Sequence, residues 1–345
     1  MTTPDFPLRL NLDFDALVSN WRRLDRLSGT ARAGAAVKAD AYGLGAQRVV
    51  RALAKAGCRD FFVAYASEAA PLEGLLAPAQ VAVLHGPQSA AEAAWIRARG
   101  FVPVINSLHQ AQLWAGAGGG PCDVMVDTGI NRLGLNGADL DAALIRQLDI
   151  RTLHSHLACA EVPDAMNELQ LRRWQSACRL FPDKAHSLAN SAGIMLGGDY
   201  HGHLTRPGIA LYGGVPTPAL AAKIRQVAYP QAAIMQIRTV RAGEAIGYNA
   251  TFRASRDMRV AVVGIGYADG YLRCWSNLGA IAAQPAMLPV LGRVSMDMTV
   301  IDLATAPDLN EGDWVTLDYH LPEAALRSGL SQYELLTLLG RRFAR

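Results

Sequence analysis

Lysine is scarce in this chain: of its 33 Lys and Arg residues, only Lys38, Lys55, Lys184 and Lys223 are lysines. Plain positive charge is supplied by arginine, so each lysine raises the question of what its amine does that a guanidinium cannot. Cysteine is also sparse. Cys58, Cys122, Cys159, Cys178 and Cys274 are odd in number, scattered and without C-x-x-C spacing. That argues against a disulfide scaffold and for reduced thiols in a cytoplasmic protein. No apolar run approaches a membrane span. The opening stretch MTTPDFPLRLNLDF has no apolar h-region, so no secretory signal is expected. The net charge of +3 comes without a basic run, which leaves nothing to point to nucleic acid. There is no low-complexity segment and no G-x-G-x-x-G turn of the kind that opens a doubly wound dinucleotide fold. What remains is a 345-residue chain, 51% apolar and 18% charged, with enough core for one large domain or two ordinary ones.

The stretch Val37-Lys38-Ala39-Asp40-Ala41-Tyr42-Gly43-Leu44-Gly45 puts one of the rare lysines at the end of the small apolar run Ala33 to Val37, ahead of two glycines. Arg keeps its proton in a protein, whereas a desolvated Lys can lose it and attack a carbonyl. A snorkelling lysine at a strand end is the plainer reading of Lys38 taken alone.

Short apolar runs recur near residues 34–38, 61–65, 80–85, 101–106, 122–127, 150–157, 185–189 and 204–212. Helical patterns lie between most of them: Gln47–Ala56, Ser89–Arg99, Leu108–Gly116, Ala138–Leu148 and Asn167–Leu180. Ser89 and Glu92 have capping-box spacing. A further helix is expected over Asn11 to Arg26, capped by Asp13. Eight strand-like runs alternating with helices are what a (β/α)8 barrel of TIM type requires. After about Pro230 the text becomes β-rich, with runs at Ala232–Val240, Arg259–Ile265, Met287–Val294, Thr299–Leu303 and Trp314–Leu317, and one late helix capped by Ser331 and Glu334. The expected architecture is α/β: a barrel over residues 1–225 followed by a mainly-β C-terminal domain over 226–345.

Polar residues fall at the C-terminal ends of the barrel runs, where active sites of such barrels sit. Lys38 ends the first run, Asp127 to Gly134 follow the fifth, His156 ends the sixth and Asn190-Ser191 end the seventh. Arg206-Pro207-Gly208-Ile209 lie in the eighth, where small residues with free amides suit an anion.

Together these motifs resemble the alanine racemases. The lysine stretch, Asp127–Gly134, His156-Leu157-Ala158, Asn190-Ser191-Ala192, Arg206–Gly213, Gly247-Tyr248, Gly264–Gly270 and Gly292–Asp297 all have counterparts there, in the same order. The resemblance implies pyridoxal 5'-phosphate borne on Lys38, with Tyr42, Ser191 and the amides of Gly208 and Ile209 holding its phosphate and Asn190 beside them. It implies that Arg206 donates to the pyridine nitrogen and that His156 lies between Arg206 and Tyr248. Lys38 and Tyr248 are then the two bases on opposite faces of the substrate's Cα, the tyrosine arriving from the partner subunit of a homodimer. Arg132 and the Met296 backbone meet the substrate carboxylate, and Tyr267 and Asp297 line a narrow entrance. The implied reaction interconverts L- and D-alanine, for peptidoglycan supply, with no metal. Taken singly, Tyr248 reads as a packing tyrosine and Met296 as core; the ordered set overturns that.

Two positions depart from the family pattern. Where some members carry a carboxylated lysine that orients the arginine, this chain has Met125; where some have a phosphate-binding tyrosine, it has Arg341. Rival readings are a racemase of another small amino acid such as serine, a non-catalytic pyridoxal-phosphate-binding protein, a pyridoxal-phosphate decarboxylase, and a metal-dependent hydrolase. The last draws on His154-x-His156 and His201-x-His203, whose spacing puts two imidazoles on one side of a strand. It also needs a bridging carboxylate or lysine and a terminal aspartate, for which the strand ends offer no convincing residues.

Overall fold

The computed structural model describes residues 7–340 and 342–343, so Arg341 lies outside the described residues. The chain divides into two units, Phe14–Arg225 and a second that takes everything from Gln226 onward together with the strand Leu8–Leu12.

In the first unit, seven strands form a parallel sheet in chain order: Ala35–Ala36, Phe61–Val63, Val81–Val83, Val102–Ile105, Pro121–Met125, Asp149–His154 and Ala185–Ser187. Strands such as Phe61–Val63 and Val81–Val83 are buried along their whole length, as parallel strands covered by helices must be. The run expected over 204–212 is mostly not strand. Only Leu204–Thr205 pairs, in parallel with Arg32–Ala33, and Ile209–Tyr212 is a 3-10 turn. The backbone there is still tied on both sides. Gly34 N donates to Thr205 O (2.9 Å) and Ala36 N to Pro207 O (2.9 Å); Arg206 N donates to Ala189 O and His203 N to His186 O, each at 2.8 Å.

The helices begin where their caps place them. Ser89 Oγ accepts from Glu92 N and Asp164 caps Ala165–Arg179 through Met166 N. The opening helix runs Phe14–Leu27 and buries Leu17, Trp21 and Leu24, residues three or four apart on one face. The pattern at 138–148 breaks into a 3-10 turn, Asp139–Asp141, and the short helix Ala143–Arg146.

The residues before that helix correct the expected boundary. Leu8 and Leu10 are buried while Arg9 and Asn11 point outward, a period of two that belongs to a strand rather than to a helix starting at Asn11. This strand pairs antiparallel with Ala228–Val240 and so belongs to the second unit.

The second unit is a seven-stranded antiparallel sheet, in the order Leu8–Leu12, Ala228–Val240, Met258–Val263, Thr299–Asp302, Ala286–Leu291, Ala280–Ala283 and Trp314–Leu317. Ala228–Val240 also pairs with Trp314–Leu317, closing six of these strands into a ring. Ser331 and Glu334 form the expected capping box at Gln332–Thr337, and Leu321–Ser328 is a helix that the sequence reading left out.

Candidate active site

Lys38 follows the first sheet strand directly, and its backbone does something unusual. Ala39, Asp40, Ala41 and Tyr42 all have φ between 53° and 57°, one turn of left-handed helix made without a glycine. Each such residue costs about 1–2 kcal/mol, so the turn persists only because its surroundings hold it. Val37 O and Ala39 O accept from Ala41 N and Gly43 N (both 2.8 Å). Asp40 Oδ1 accepts from Ala46 N at 2.7 Å, tying the turn to the start of the next helix. Glu68, a residue the sequence reading missed, accepts from Ala39 N at 2.9 Å and from Ala64 N at 2.7 Å, one bond on each carboxylate oxygen.

The turn packs Tyr42 into the unit, its ring 4.9 Å from that of Tyr212, whose hydroxyl donates to Ala36 O. Burial pushes the Tyr42 phenol up to about 12, so it remains a donor at neutral pH. Gly208 lies against the Tyr42 hydroxyl so closely that a Cβ there would overlap the oxygen. Ser191 Oγ accepts from Gly208 N (2.9 Å) and Ala210 N (3.3 Å) at the start of the 3-10 turn. Asn190 Oδ1 accepts from Gly193 N at 2.8 Å, which shapes the loop carrying Ser191. Tyr42 and Ser191 thus both meet Gly208, directly ahead of Ile209, and Asn190 shapes the loop that carries Ser191.

Arg132 is exposed, on a loop built by Asp127. That carboxylate accepts from Gly129 N (2.8 Å) and Asn131 N (3.2 Å), with Asn131 itself left-handed at φ 54°. Gly134, at φ +129°, packs on the Asp127 backbone where a side chain has no room. With Met125 buried at the end of its strand, this turn chemistry sets the course of the loop.

The charges converge. Burial lowers the Lys38 amine; the Arg132 charge adds to that, Glu68 opposes it and Arg206 adds again. His156 is brought down to about 3, first by burial and then by Arg206, Arg132 and Lys38, so its imidazole is neutral. Lys38, Arg132, Arg206 and His156 therefore share one electrostatic neighbourhood with a surplus of positive charge, which favours an anionic ligand and an amine able to lose its proton. The imidazole that Arg206 touches is that of His154, Nη1 to Nδ1 at 3.4 Å. The other H-x-H pair is committed to structure: the His201 ring nitrogens meet Ser28 O and Ile194 O, and His203 Nδ1 accepts from His186 N.

Replacing Glu68 with Gln removes the charge that raises the pKa of the Lys38 amine, and Arg132→Leu removes one that lowers it. The pH at which Lys38 becomes reactive toward an aldehyde is expected to fall in the first variant and rise in the second. Rates of covalent aldehyde uptake against pH, followed by absorbance, check this.

The remaining predicted residues lie in the second unit. Tyr248 is 64% exposed, on the turn Tyr248–Ala250 after Gly247. Tyr267 is half-buried, with Arg273 over its ring at 5.1 Å. Met296 is exposed and its carbonyl accepts from Ala268 N (3.0 Å). Asp297 accepts from Arg342 at 2.7 Å, and Arg342 also reaches Asp269 at 2.8 Å.

Known proteins share both units. Residues 12–216 match the family described as alanine racemase, N-terminal domain, and residues 227–345 match alanine racemase, C-terminal domain. The alanine racemase of Acidiphilium cryptum is 42% identical, over 97% of this chain and 97% of its own. The biosynthetic alanine racemase of Agrobacterium fabrum is 40% identical, over 98% of this chain and 93% of its own. The crystal structure of alanine racemase from Bartonella henselae with covalently bound pyridoxal phosphate is 35% identical with a TM-score of 0.89, covering 99% of each chain. On the match of both domains and of the full-length relatives, the chain belongs to the alanine racemase family.

Proposed function

We propose that this chain racemises alanine with pyridoxal 5'-phosphate borne on Lys38, working as a cytoplasmic homodimer that supplies D-alanine for peptidoglycan. The observation that carries the reading is the desolvated Lys38 amine set among Arg132, Arg206 and a neutral His156. The residues fit the cofactor. In the cradle beside Tyr42 and Gly208, the Ser191 hydroxyl and the Ile209 amide can donate to a phosphate, the Gly208 amide being taken up by Ser191 Oγ, and Asn190 holds the loop. We also read the first unit as a closed eight-stranded barrel, since residues 203–207 bond both to residues 32–36 and to residues 186–189.

Bound pyridoxal phosphate supplies an electron sink that makes the Cα proton of an amino acid removable. The chain does the rest. Arg206 donates to the ring nitrogen and, being permanently protonated, leaves that nitrogen an acceptor, which keeps the sink shallow and favours return of the proton to Cα. Arg132 and the Met296 backbone orient the carboxylate. Lys38 moves a proton at one face of Cα, and Tyr248 of the partner subunit moves one at the other. Tyr267 and Asp297 narrow the way in, which favours a small side chain. Serine differs by one hydroxyl, an addition that an apolar pocket rejects poorly.

A panel of L-amino acids, each incubated with the purified protein and separated on a chiral column, tests the reading. Alanine is expected to racemise fastest, with serine detectable but slower. Absence of D-alanine from a yellow, cofactor-loaded protein contradicts it.

A further inference from the structure

Of the two imidazoles in His154-x-His156, the reading above uses only the second. His154 is 0% exposed and lies between Asp123, 1% exposed, and Arg206, 7% exposed. Its Nε2 is 3.2 Å from Asp123 Oδ2 and its Nδ1 is 3.4 Å from Arg206 Nη1. A carboxylate only accepts and a guanidinium only donates, so one tautomer serves both contacts, with the proton on Nε2 and the lone pair on Nδ1. Beyond His154, Asp123 accepts from Arg151 Nε at 3.2 Å and Nη2 at 3.4 Å, and Arg151 is itself anchored on Ala79 O.

Arg206 otherwise meets neutral acceptors: Ser187 O at 2.7 Å, Ser187 Oγ at 2.5 Å, Leu188 O at 3.4 Å and Ser155 O. Its terminal nitrogens make all these bonds and Nε makes none of them. The contacts on Nη1 and Nη2 therefore set the direction in which Nε–H faces. A buried guanidinium with only neutral acceptors around it lacks a counter-charge, and Asp123 supplies one across a single imidazole.

We propose that Asp123 and His154 are positioning residues, which hold Arg206 through a directed chain of hydrogen bonds from guanidinium to imidazole to carboxylate. The inference rests on Arg206 being the donor to the cofactor's ring nitrogen. The charge states agree with it. Burial lowers His154 against the pull of Asp123, leaving the ring neutral. Burial alone would raise Asp123, but His154 and Arg151 bring it below the ordinary carboxylate range. Arg206, lowered by burial to about 10 against the pull of Asp123, stays charged.

A loosened Arg206 leaves the ring nitrogen open to protonation from water and deepens the electron sink. The side reaction then gains: the Cα proton goes to the cofactor's aldehyde carbon instead of back to Cα, so alanine is oxidised by two electrons to pyruvate while pyridoxal phosphate is reduced to pyridoxamine phosphate, which keeps the amino group; the aldehyde oxygen leaves as water and a second water supplies the keto oxygen of pyruvate. Holoenzymes carrying Asp123→Asn, His154→Gln or Arg206→Gln are to be compared for kcat, KM for L-alanine and pyruvate formed per racemisation event. The first two are expected to lower kcat about tenfold, the scale of one lost charge-assisted hydrogen bond, with KM nearly unchanged. Each is also expected to raise the pyruvate ratio about tenfold on the same argument, and Arg206→Gln to raise it further. If Arg206→Gln moves the ratio while both other variants stay within about twofold of the parent, far less than a lost bond of this kind implies, the relay is wrong and the reading of Arg206 survives. If Arg206→Gln leaves the ratio unchanged, the reading of Arg206 fails and the relay with it. A variant that does not fold is replaced by nitrogen NMR of histidine-labelled parent protein, with and without cofactor. There His154 is expected to be neutral with its proton on Nε2, and a proton on Nδ1 overturns the proposal.

Discussion

Racemase activity in a Lys38→Ala protein is expected to fall by a factor on the order of a thousand or more, the scale of losing a positioned proton-transfer group. Covalent attachment of the cofactor should disappear with it. The cradle of Tyr42, Ser191 and Gly208 is untouched by this change, so pyridoxal phosphate should still associate, without a bond that borohydride can reduce. The other three lysines offer no substitute. Lys55 is exposed in the last turn of Ala46–Ala56, Lys223 donates to Ala219 O, and Lys184 follows the helix Ala165–Arg179. Reduction with borohydride followed by peptide mapping decides: a reduced adduct at Lys55, Lys184 or Lys223 contradicts the assignment.

Co-expression of Lys38→Ala and Tyr248→Phe chains is expected to restore activity that neither mutant shows alone. Lys38 belongs to the first unit and Tyr248 to the second. The proposed two-fold dimer pairs the lysine of one subunit with the tyrosine of the other in two equivalent sites. A heterodimer of the two mutants then contains one intact site and one with both lesions, so its activity should approach roughly half that of the parent dimer. If each chain supplied both groups to its own site, every site would carry one lesion and activity would stay low. Differentially tagged chains, co-purified and first shown to dimerise singly, give the measurement. No recovery in verified heterodimers means that Tyr248 acts in its own subunit or is not the second base.

Much of this was legible in the sequence because its periods were clean. The apolar runs at 61–65, 80–85 and 101–106 became strands, and Leu108–Gly116 became a helix with the expected limits. The misses have physical causes. Leu8–Leu12 alternates, yet the chain beyond it also fits a helical spacing, and only pairing with a strand more than 200 residues away shows where the alternation ends. The run at 204–212 is apolar because it is buried, but Pro207 and Gly208 turn it into a cradle after two paired residues. The left-handed turn after Lys38 could not be read from Ala39-Asp40-Ala41-Tyr42, which are ordinary right-handed residues held over by distant partners such as Glu68.

The same limit applies to the site. Of the candidate site, Lys38, Tyr42, Ser191, Arg206 and Gly208 could be proposed from the sequence because their residue types are rare or their motifs ordered. Glu68, Asp123 and Ser187 were not, since each works by where its oxygen falls in space. An aspartate inside an apolar strand run was the one signal available, because a carboxylate is almost never fully buried without a partner. His154 was seen, but its spacing to His156 suggested a metal; in the fold its nitrogens belong to Asp123 and Arg206.

Racemisation in heavy water decides whether two separate groups serve the two faces of Cα. L-alanine carrying protium at Cα is incubated with the loaded enzyme in D2O, and the first D-alanine formed is analysed for its Cα hydrogen. One base removes the protium while the other delivers a solvent-derived hydrogen, so D-alanine is expected to carry deuterium from the earliest turnovers. D-alanine that largely keeps the substrate's own protium would mean that a single group carries the proton from face to face, and would rule out separate roles for Lys38 and Tyr248.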